Sequence, residues 1–375
     1  MVPKYGLVGG GEKFVAEVTE RIARDDRFEM HVFANRWKAG SGRITFHKVP
    51  VMTFPRFLTT ISFAHFANRA IAKMDFDLIH THERIFRADI FSMHSVPHRF
   101  WVREIRRKGM SLFDYGTSWV EGELINKGGC RKFLPVSTLA EDKILKDFPI
   151  AGDKIDVIHP GVDIGTFRTL DKPFCRREIG DRFGIREDDR VLLFVSMNFE
   201  LKGLDALMAA LSMTKTRHPS ARLKLLVVGK GNHRKYGALA RKLGIEENVI
   251  FTGVQTSGME KIYCASDIFV MLSRFDTFGM AVLEAMSASV PVIVSHNVGA
   301  KDLVTDGQNG FVVDHEDVDT IAAKIAYMLD EEKRRAMAED AYRVAVTHDW
   351  DRVVERILTV YDEILGCGND ARKGE

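Results

Sequence analysis

The 375-residue chain is poor in cysteine, and the shortage excludes several classes of protein. Cys130, Cys175, Cys264 and Cys367 are its only four, with no C-x-x-C pair, so neither a disulfide framework nor a cysteine-held metal is indicated. No apolar run reaches the roughly 18 residues that a membrane span needs. The first eleven residues lack the basic flank and apolar core of a secretion signal. Both absences lead to an expected cytoplasmic location. There is no low-complexity tract and no repeat at solenoid periods. Charge of one sign is also scarce: 54 Lys and Arg face 52 Asp and Glu, a net +2, too little to argue for nucleic acid.

What is present suits a globular enzyme of two domains. Apolar residues make up 45% and charged residues 28%, and 375 residues exceed one ordinary domain. The small net charge hides an asymmetry. Residues 1–170 carry 26 cations and 20 anions (+6), and the remainder 28 and 32 (−4), so the first half is expected to meet something anionic.

Short apolar runs at 191–196, 223–228, 249–252, 268–272 and 291–295 alternate with helical patterns such as 203–216 and 235–243. That alternation means βαβ units and a parallel sheet covered on both faces. The first half repeats it less regularly, with candidate strands at 30–34, 77–82, 90–94, 132–136 and 156–159. The fold class is α/β, two doubly wound domains in tandem. Ligands in such sheets lie at the carboxyl ends of strands, which between two such domains places the site in a cleft. The boundary is set at 168/169, within an irregular stretch after Pro160-Gly161. Residues 350–365 read as an amphipathic helix with Val353, Val354, Ile357, Leu358, Tyr361 and Ile364 on one side. A first strand is wanting: only Met1–Tyr5 precede the Gly9-Gly10-Gly11 turn, and Pro3 suits a central strand badly. The expectation is an N-terminal domain of poor stability unless residues upstream of Met1 are restored.

Several residues could carry chemistry. Gly9, Gly10 and Gly11 open a helical pattern with Val15, Val18 and Ile22 on one face; they are either an anion-approaching loop or a tight turn. Asp276 follows a strand, and Phe278, Gly279 and Met280 start a helix whose free N–H groups suit a phosphate. Glu284 is the only charged side chain between Asp276 and Lys301. It either meets a ribose diol or is satisfied internally. Lys202, beside Asn198 in the loop after strand 191–196, is either a diphosphate ligand or an exposed lysine; Gly229 and Gly253 end later strands. His80, His82, His94 and His98 crowd the first half, as a metal site, a polar sugar contact or satisfied strand histidines. Segment 97–112 mixes Arg99, Arg103, Arg106, Arg107 and Lys108 with Phe100 and Trp101. It is expected to be a basic helix, on an anionic membrane or acceptor or simply on the surface.

Residues 276–291, DTFGMAVLEAMSASVP, resemble the E-x7-E segment of family 4 retaining glycosyltransferases with the GT-B fold. Gly9-Gly10-Gly11-Glu12, Val136-Ser137, His159-Pro160-Gly161-Val162-Asp163, Lys202-Gly203, Val228-Gly229 and Phe251-Thr252-Gly253 fall in the family's order. The similarity covers about residues 5–365 and is nearest to lipopolysaccharide core glucosyltransferases. It implies an N-terminal acceptor-side domain (1–168 with crossing helix 350–366) and a C-terminal domain for the nucleotide sugar (169–349). It also implies a nucleotide-sugar donor such as UDP-glucose, a glycan or glycolipid acceptor and no metal. Glu284 would bind the donor ribose. The Phe278, Gly279 and Met280 amides with Lys202, and Gly10 from the other domain, would hold the diphosphate. His94 would contact the donor sugar, and Asp276, where the family usually has Glu, would face it. Two other readings stay open: a GT-B sugar-nucleotide 2-epimerase and a non-catalytic sugar-nucleotide binder.

Overall fold

The computed structural model describes residues 1–6, 9–38 and 40–372, with side chains through 366. The chain divides into two compact units, Met1–Gly161 with Trp350–Glu375, and Val162–Asp349. The division falls at 161/162 rather than 168/169, because Val162 N bonds to the His348 carbonyl and Ile164 N to the Asp349 carboxylate, tying this stretch to the second unit.

Among the described residues the first unit holds seven strands: β1 (Lys4–Tyr5), β2 (Met30–Ala34), β3 (Arg36–Trp37), β4 (Ile44–Lys48), β5 (His80–Thr81), β6 (Ile90–Met93) and β7 (Lys132–Pro135). They form three small parallel sheets, β2-β4, β1-β3 and β5-β6-β7. Met1–Tyr5 stitches them together. Met1 N donates to the His80 carbonyl and His82 N to the Met1 carbonyl on one side; Val2 N donates to the Phe33 carbonyl on the other. The lateral order is therefore β4, β2/β3, β1, β5, β6, β7. This corrects the expectation of a missing first strand: the central slot is filled. Pro3 is tolerated there because only its carbonyl is used, accepting from Asn35 N and Arg36 N at 3.0 and 3.1 Å.

The unit's core joins Phe33, Phe63, Ile85, Phe91, Met93, Val120, Leu124 and Phe133 between sheet and helices. Helix Gly10–Ile22 buries Phe14, Val15, Val18 and Ile22, the face its spacing predicts. The last helix, Trp350–Arg372, belongs to this unit, with Trp350, Val353, Ile357, Val360, Tyr361 and Ile364 buried.

The second unit is one six-stranded parallel sheet built from β8 (Arg190–Ser196), β9 (Leu223–Gly229), β10 (Val249–Gly253), β11 (Ile268–Met271), β12 (Val292–Ser295) and β13 (Gly310–Val313). Its order is β10-β9-β8-β11-β12-β13. β8, β9, β11 and β12 are almost wholly buried, which is why their sequences read as continuous apolar runs rather than alternating ones. The chain winds outward from β8 to β10 on one side and from β11 to β13 on the other. Adjacent β8 and β11 therefore form the switch point, where the loops leaving their carboxyl ends diverge and open a crevice.

Candidate active site

Two loops leave this switch point. The loop after β8 runs from Met197 to Gly203 and feeds helix Leu204–Arg217; the loop after β11 runs from Leu272 to Gly279 and feeds helix Met280–Ser287. Arg274 N bonds to the Leu201 carbonyl at 2.9 Å and ties the loops together. Each helix starts behind a glycine with positive φ, Gly203 at 75° and Gly279 at 92°, and neither has a side-chain cap. A Cβ on Gly203 would collide with the Leu272 carbonyl, and one on Gly279 would sit 3.0 Å from Val298 and 3.1 Å from Met271 sulfur. Glycine is thus a steric requirement at both. Within these first turns Leu204 N bonds to the Phe199 carbonyl at 3.1 Å and Val282 N to the Gly279 carbonyl at 2.9 Å, and no side chain caps either terminus; the positive end of a helix attracts anions.

Lys202 Nζ is paired with Asp276 Oδ2, both side chains being mostly buried. The Asp276 backbone is held by Asn297 O and Gly299 N, at 2.9 and 3.0 Å. Its other oxygen, Oδ1, accepts from Phe278 N at 3.2 Å. That uses the Phe278 amide within the loop, a departure from the three free amides expected at 278–280. Glu284 lies in the second turn of helix Met280–Ser287, half-buried, and accepts from the Tyr263 hydroxyl at 2.8 Å. Burial, then the Glu284 charge, push the Tyr263 phenol well above its ordinary range, so it stays a donor. Sequence reasoning missed Tyr263; its signal was a hydroxyl-bearing aromatic in the apolar stretch before β11.

The structure brings Lys202, Asp276, Gly279, Met280 and Glu284 into one unit around one switch point. Other candidates fall elsewhere. Asn198 Oδ1 accepts from Leu201 N at 3.1 Å, so it braces its own loop. Phe199 is a core residue beneath Gly231. Gly229 closes β9 onto β8, since a Cβ there would strike the Ser196 carbonyl. Gly253 ends β10, two strands from β8.

In the first unit, Gly9 precedes helix Gly10–Ile22, and His94 lies against its first turn. A Cβ on Gly11 would touch the His94 ring at 3.6 Å, and Phe14 meets that ring edge-on at 4.7 Å. His82 Nδ1 and His94 Nε2 share a hydrogen bond of 3.0 Å, and His80 joins Tyr361 and Ser92 at 2.7 and 2.8 Å. Desolvation lowers all three: His94 to about 4, His80 and His82 well below the usual imidazole range, so the rings are neutral near pH 7. His98 instead bonds to Asp114 at 2.9 Å. The four histidines thus divide, three together and one apart. A pocket of about 440 Å³ in this unit is lined by Gly11, Glu12, His82, Arg84, His94 and Ser95, among others.

The basic segment is a correction. It is no 16-residue helix: helix His98–Phe100 passes into a π-helical turn, Trp101–Ile105, with Arg106 N bonded to Trp101 O, and Arg107 ends it at φ 49°. Trp101 and Phe100 are half-buried, and Lys143 lies over the Phe100 ring. Arg99, Arg103, Arg106, Arg107 and Lys108 are exposed.

Residues 8–166 match the family described as Glycosyltransferase Family 4, and residues 176–344 match Glycosyl transferases group 1. The chain has the GT-B fold, with a glycosyltransferase model matching a part of each unit. A D-inositol 3-phosphate glycosyltransferase of Acidothermus cellulolyticus is 31% identical over 62% of the chain and 53% of its own length. The chain spans about half the length of the curated relatives it matches first. The crystal structure of WaaG, a glycosyltransferase involved in lipopolysaccharide biosynthesis, aligns over 97% of the chain and 99% of its own, with TM-score 0.77 and 20% identity. Anabaena HepE in complex with UDP-glucose aligns over 96% and 98%, with TM-score 0.74 and 17% identity. The two solved structures share the fold.

Proposed function

We propose that this chain is a metal-independent retaining glycosyltransferase. It moves a hexose from a UDP-sugar, UDP-glucose in the simplest case, to a glycan or glycolipid acceptor of lipopolysaccharide type at the cytoplasmic face of a membrane. The observation that carries the reading is the Lys202–Asp276 pair set between two glycine-led helix starts at the β8/β11 switch point. A cation and uncapped amides together suit a diphosphate and supply, without a metal, the charge stabilisation that a leaving diphosphate needs. When the diphosphate arrives, Lys202 exchanges a carboxylate for a phosphate, and Asp276 is released toward the sugar. Glu284, oriented by Tyr263, takes the ribose hydroxyls. His94, as a neutral ring, contacts the donor sugar. The acceptor hydroxyl attacks the anomeric carbon on the face from which the diphosphate departs; the sugar–phosphate bond breaks and the hydroxyl proton passes to the leaving phosphate oxygen. The binding of UDP-glucose by HepE and the +6 charge of residues 1–170 support the donor and the acidic acceptor respectively.

The test is a thermal-shift and hydrolysis panel of UDP-, GDP- and ADP-sugars, with and without EDTA. A ligand that binds only the folded state raises the melting temperature. UDP-glucose is expected to do so, with turnover unaffected by EDTA and lost in Lys202→Ala. Activity abolished by EDTA and restored by one divalent ion would defeat the metal-independent reading.

A further inference from the structure

Three cations share one face of the small ribbon β1-β3. Lys4 and Arg36 are register partners on parallel strands, so their side chains leave the sheet on the same side. The next partners, Tyr5 and Trp37, point to the other side, where both meet the Phe46 ring, at 5.2 and 5.3 Å. Lys38 returns to the first face. Its N bonds to the Tyr5 carbonyl, and a Cβ on Gly6 would stand 3.6 Å from its Cβ. Lys4, Arg36 and Lys38 are all exposed.

No acid answers them. Among the described residues none of the three forms an ion pair, and the acids around the ribbon are engaged elsewhere. Glu20 accepts from the Tyr5 hydroxyl and from Ser41 N, Asp26 pairs with Arg43, and Glu83 pairs with Arg84. Like charges directly opposite on neighbouring strands repel, so the Lys4–Arg36 juxtaposition destabilises the ribbon until an anion lies over it. The chemistry of the three groups favours a phosphate: the guanidinium fork offers paired donors, and the two ammonium groups add point charge. Lys4 also lines the pocket of about 440 Å³ that His82, His94 and Ser95 line. A molecule anchored at Lys4 by a phosphate can therefore extend into that pocket.

We propose that Lys4, Arg36 and Lys38 bind a phosphate monoester carried by the acceptor, whose remainder lies in the adjoining pocket beside His94. That the ligand is an acceptor rests on the glycosyltransferase reading; the anion site itself does not.

The experiment is calorimetric titration of the full chain with inorganic phosphate, glucose 6-phosphate and glucose, each with saturating UDP to fill the donor site. The two phosphates should bind more tightly than glucose and weaken as salt is raised. Lys4→Ser/Arg36→Ser should lower the affinity for glucose 6-phosphate at least about tenfold, the loss of one hydrogen bond to a charged group. Arg103→Ser/Arg106→Ser, which removes the same charge from another part of the unit, should leave that affinity unchanged. Both variants should melt no lower than wild type and keep the rise in melting temperature with UDP-glucose. Those controls separate loss of the anion site from misfolding and from a wrong donor assignment. Three results would each overturn the proposal: phosphates binding no more tightly than glucose, binding abolished by UDP, or affinity for glucose 6-phosphate unchanged in Lys4→Ser/Arg36→Ser.

Discussion

Lys202 and Asp276 stand 74 positions apart in sequence, where nothing links the one, a candidate phosphate ligand, to the other, a candidate sugar contact. Their pairing shows that each side chain holds the other in place before a ligand arrives. Glu284 is held the same way by Tyr263. Glu284→Gln should therefore weaken UDP-sugar binding by about 1.5–3 kcal/mol, the range for a hydrogen bond to a charged group. Tyr263→Phe should weaken it by about 1 kcal/mol, through lost orientation. Calorimetric titration reads both, and unchanged affinity in a folded Glu284→Gln protein would remove Glu284 from the site. The histidines of the first unit give a second expectation at this scale. The His94 pKa is lowered to about 4 from an ordinary 6.5, so between those values the unfolded chain binds a proton that the folded chain refuses. Stability should be complete above 6.5 and fall as pH drops toward 4, with His80 and His82 adding in the same direction. Urea unfolding at pH 7 and pH 5, in wild type and His94→Gln, measures it. A variant whose stability falls with acid as steeply as wild type would exclude His94 as a contributor.

The elements show what was legible beforehand. The buried strands of the second unit announced themselves as unbroken apolar runs, and the last helix by its 3.6-residue spacing. The first strand is hidden in the sequence because Pro3 argues locally against a strand, while its acceptability rests on which carbonyls and amides its neighbours offer. The backbone of the 97–112 segment is not legible either, because composition gives the basic character of a stretch but not where its backbone turns. Glycines were visible as punctuation, yet not which of them are sterically required. Gly279 and Gly253 separate these cases. Both have positive φ, but only Gly279 is crowded, by Val298 and Met271. Gly253→Ala should lose about 1 kcal/mol of stability and keep donor affinity. Gly279→Ala should lose at least about 2 kcal/mol and donor affinity too, because the start of helix Met280–Ser287 must shift to admit the methyl group. Denaturant midpoints and UDP-sugar titrations of the two variants decide this; equal effects would remove the special status of Gly279.

At the scale of the molecule, the first unit is discontinuous and the second is not. The first depends on helix Trp350–Arg372, which follows the whole of the second unit in sequence. Trp350 is fully buried; a Cβ on Gly161 would stand 2.7 Å from its ring, and Phe14 meets it at 5.5 Å. Val353, Ile357, Val360, Tyr361 and Ile364 continue the buried face. Burying each such side chain stabilises by about 1.5–3 kcal/mol, so the six together contribute on the order of 10 kcal/mol. That is as large as the whole stability of an ordinary domain, about 5–15 kcal/mol. Tyr361 also supplies the hydrogen bond to His80, so its removal leaves a buried imidazole nitrogen without that partner. A chain ended at Asp349 should therefore lose the first unit's fold and keep the second's. The four tryptophans, Trp37, Trp101, Trp119 and Trp350, all lie in the first unit, so tryptophan fluorescence reports on that unit alone. In the shortened chain, the three that remain should show an unfolded emission maximum in buffer. Far-UV circular dichroism should keep a cooperative transition from the second unit, whose core is complete without the helix. A native emission maximum and an unchanged fluorescence midpoint in the shortened chain would show that the last helix is dispensable.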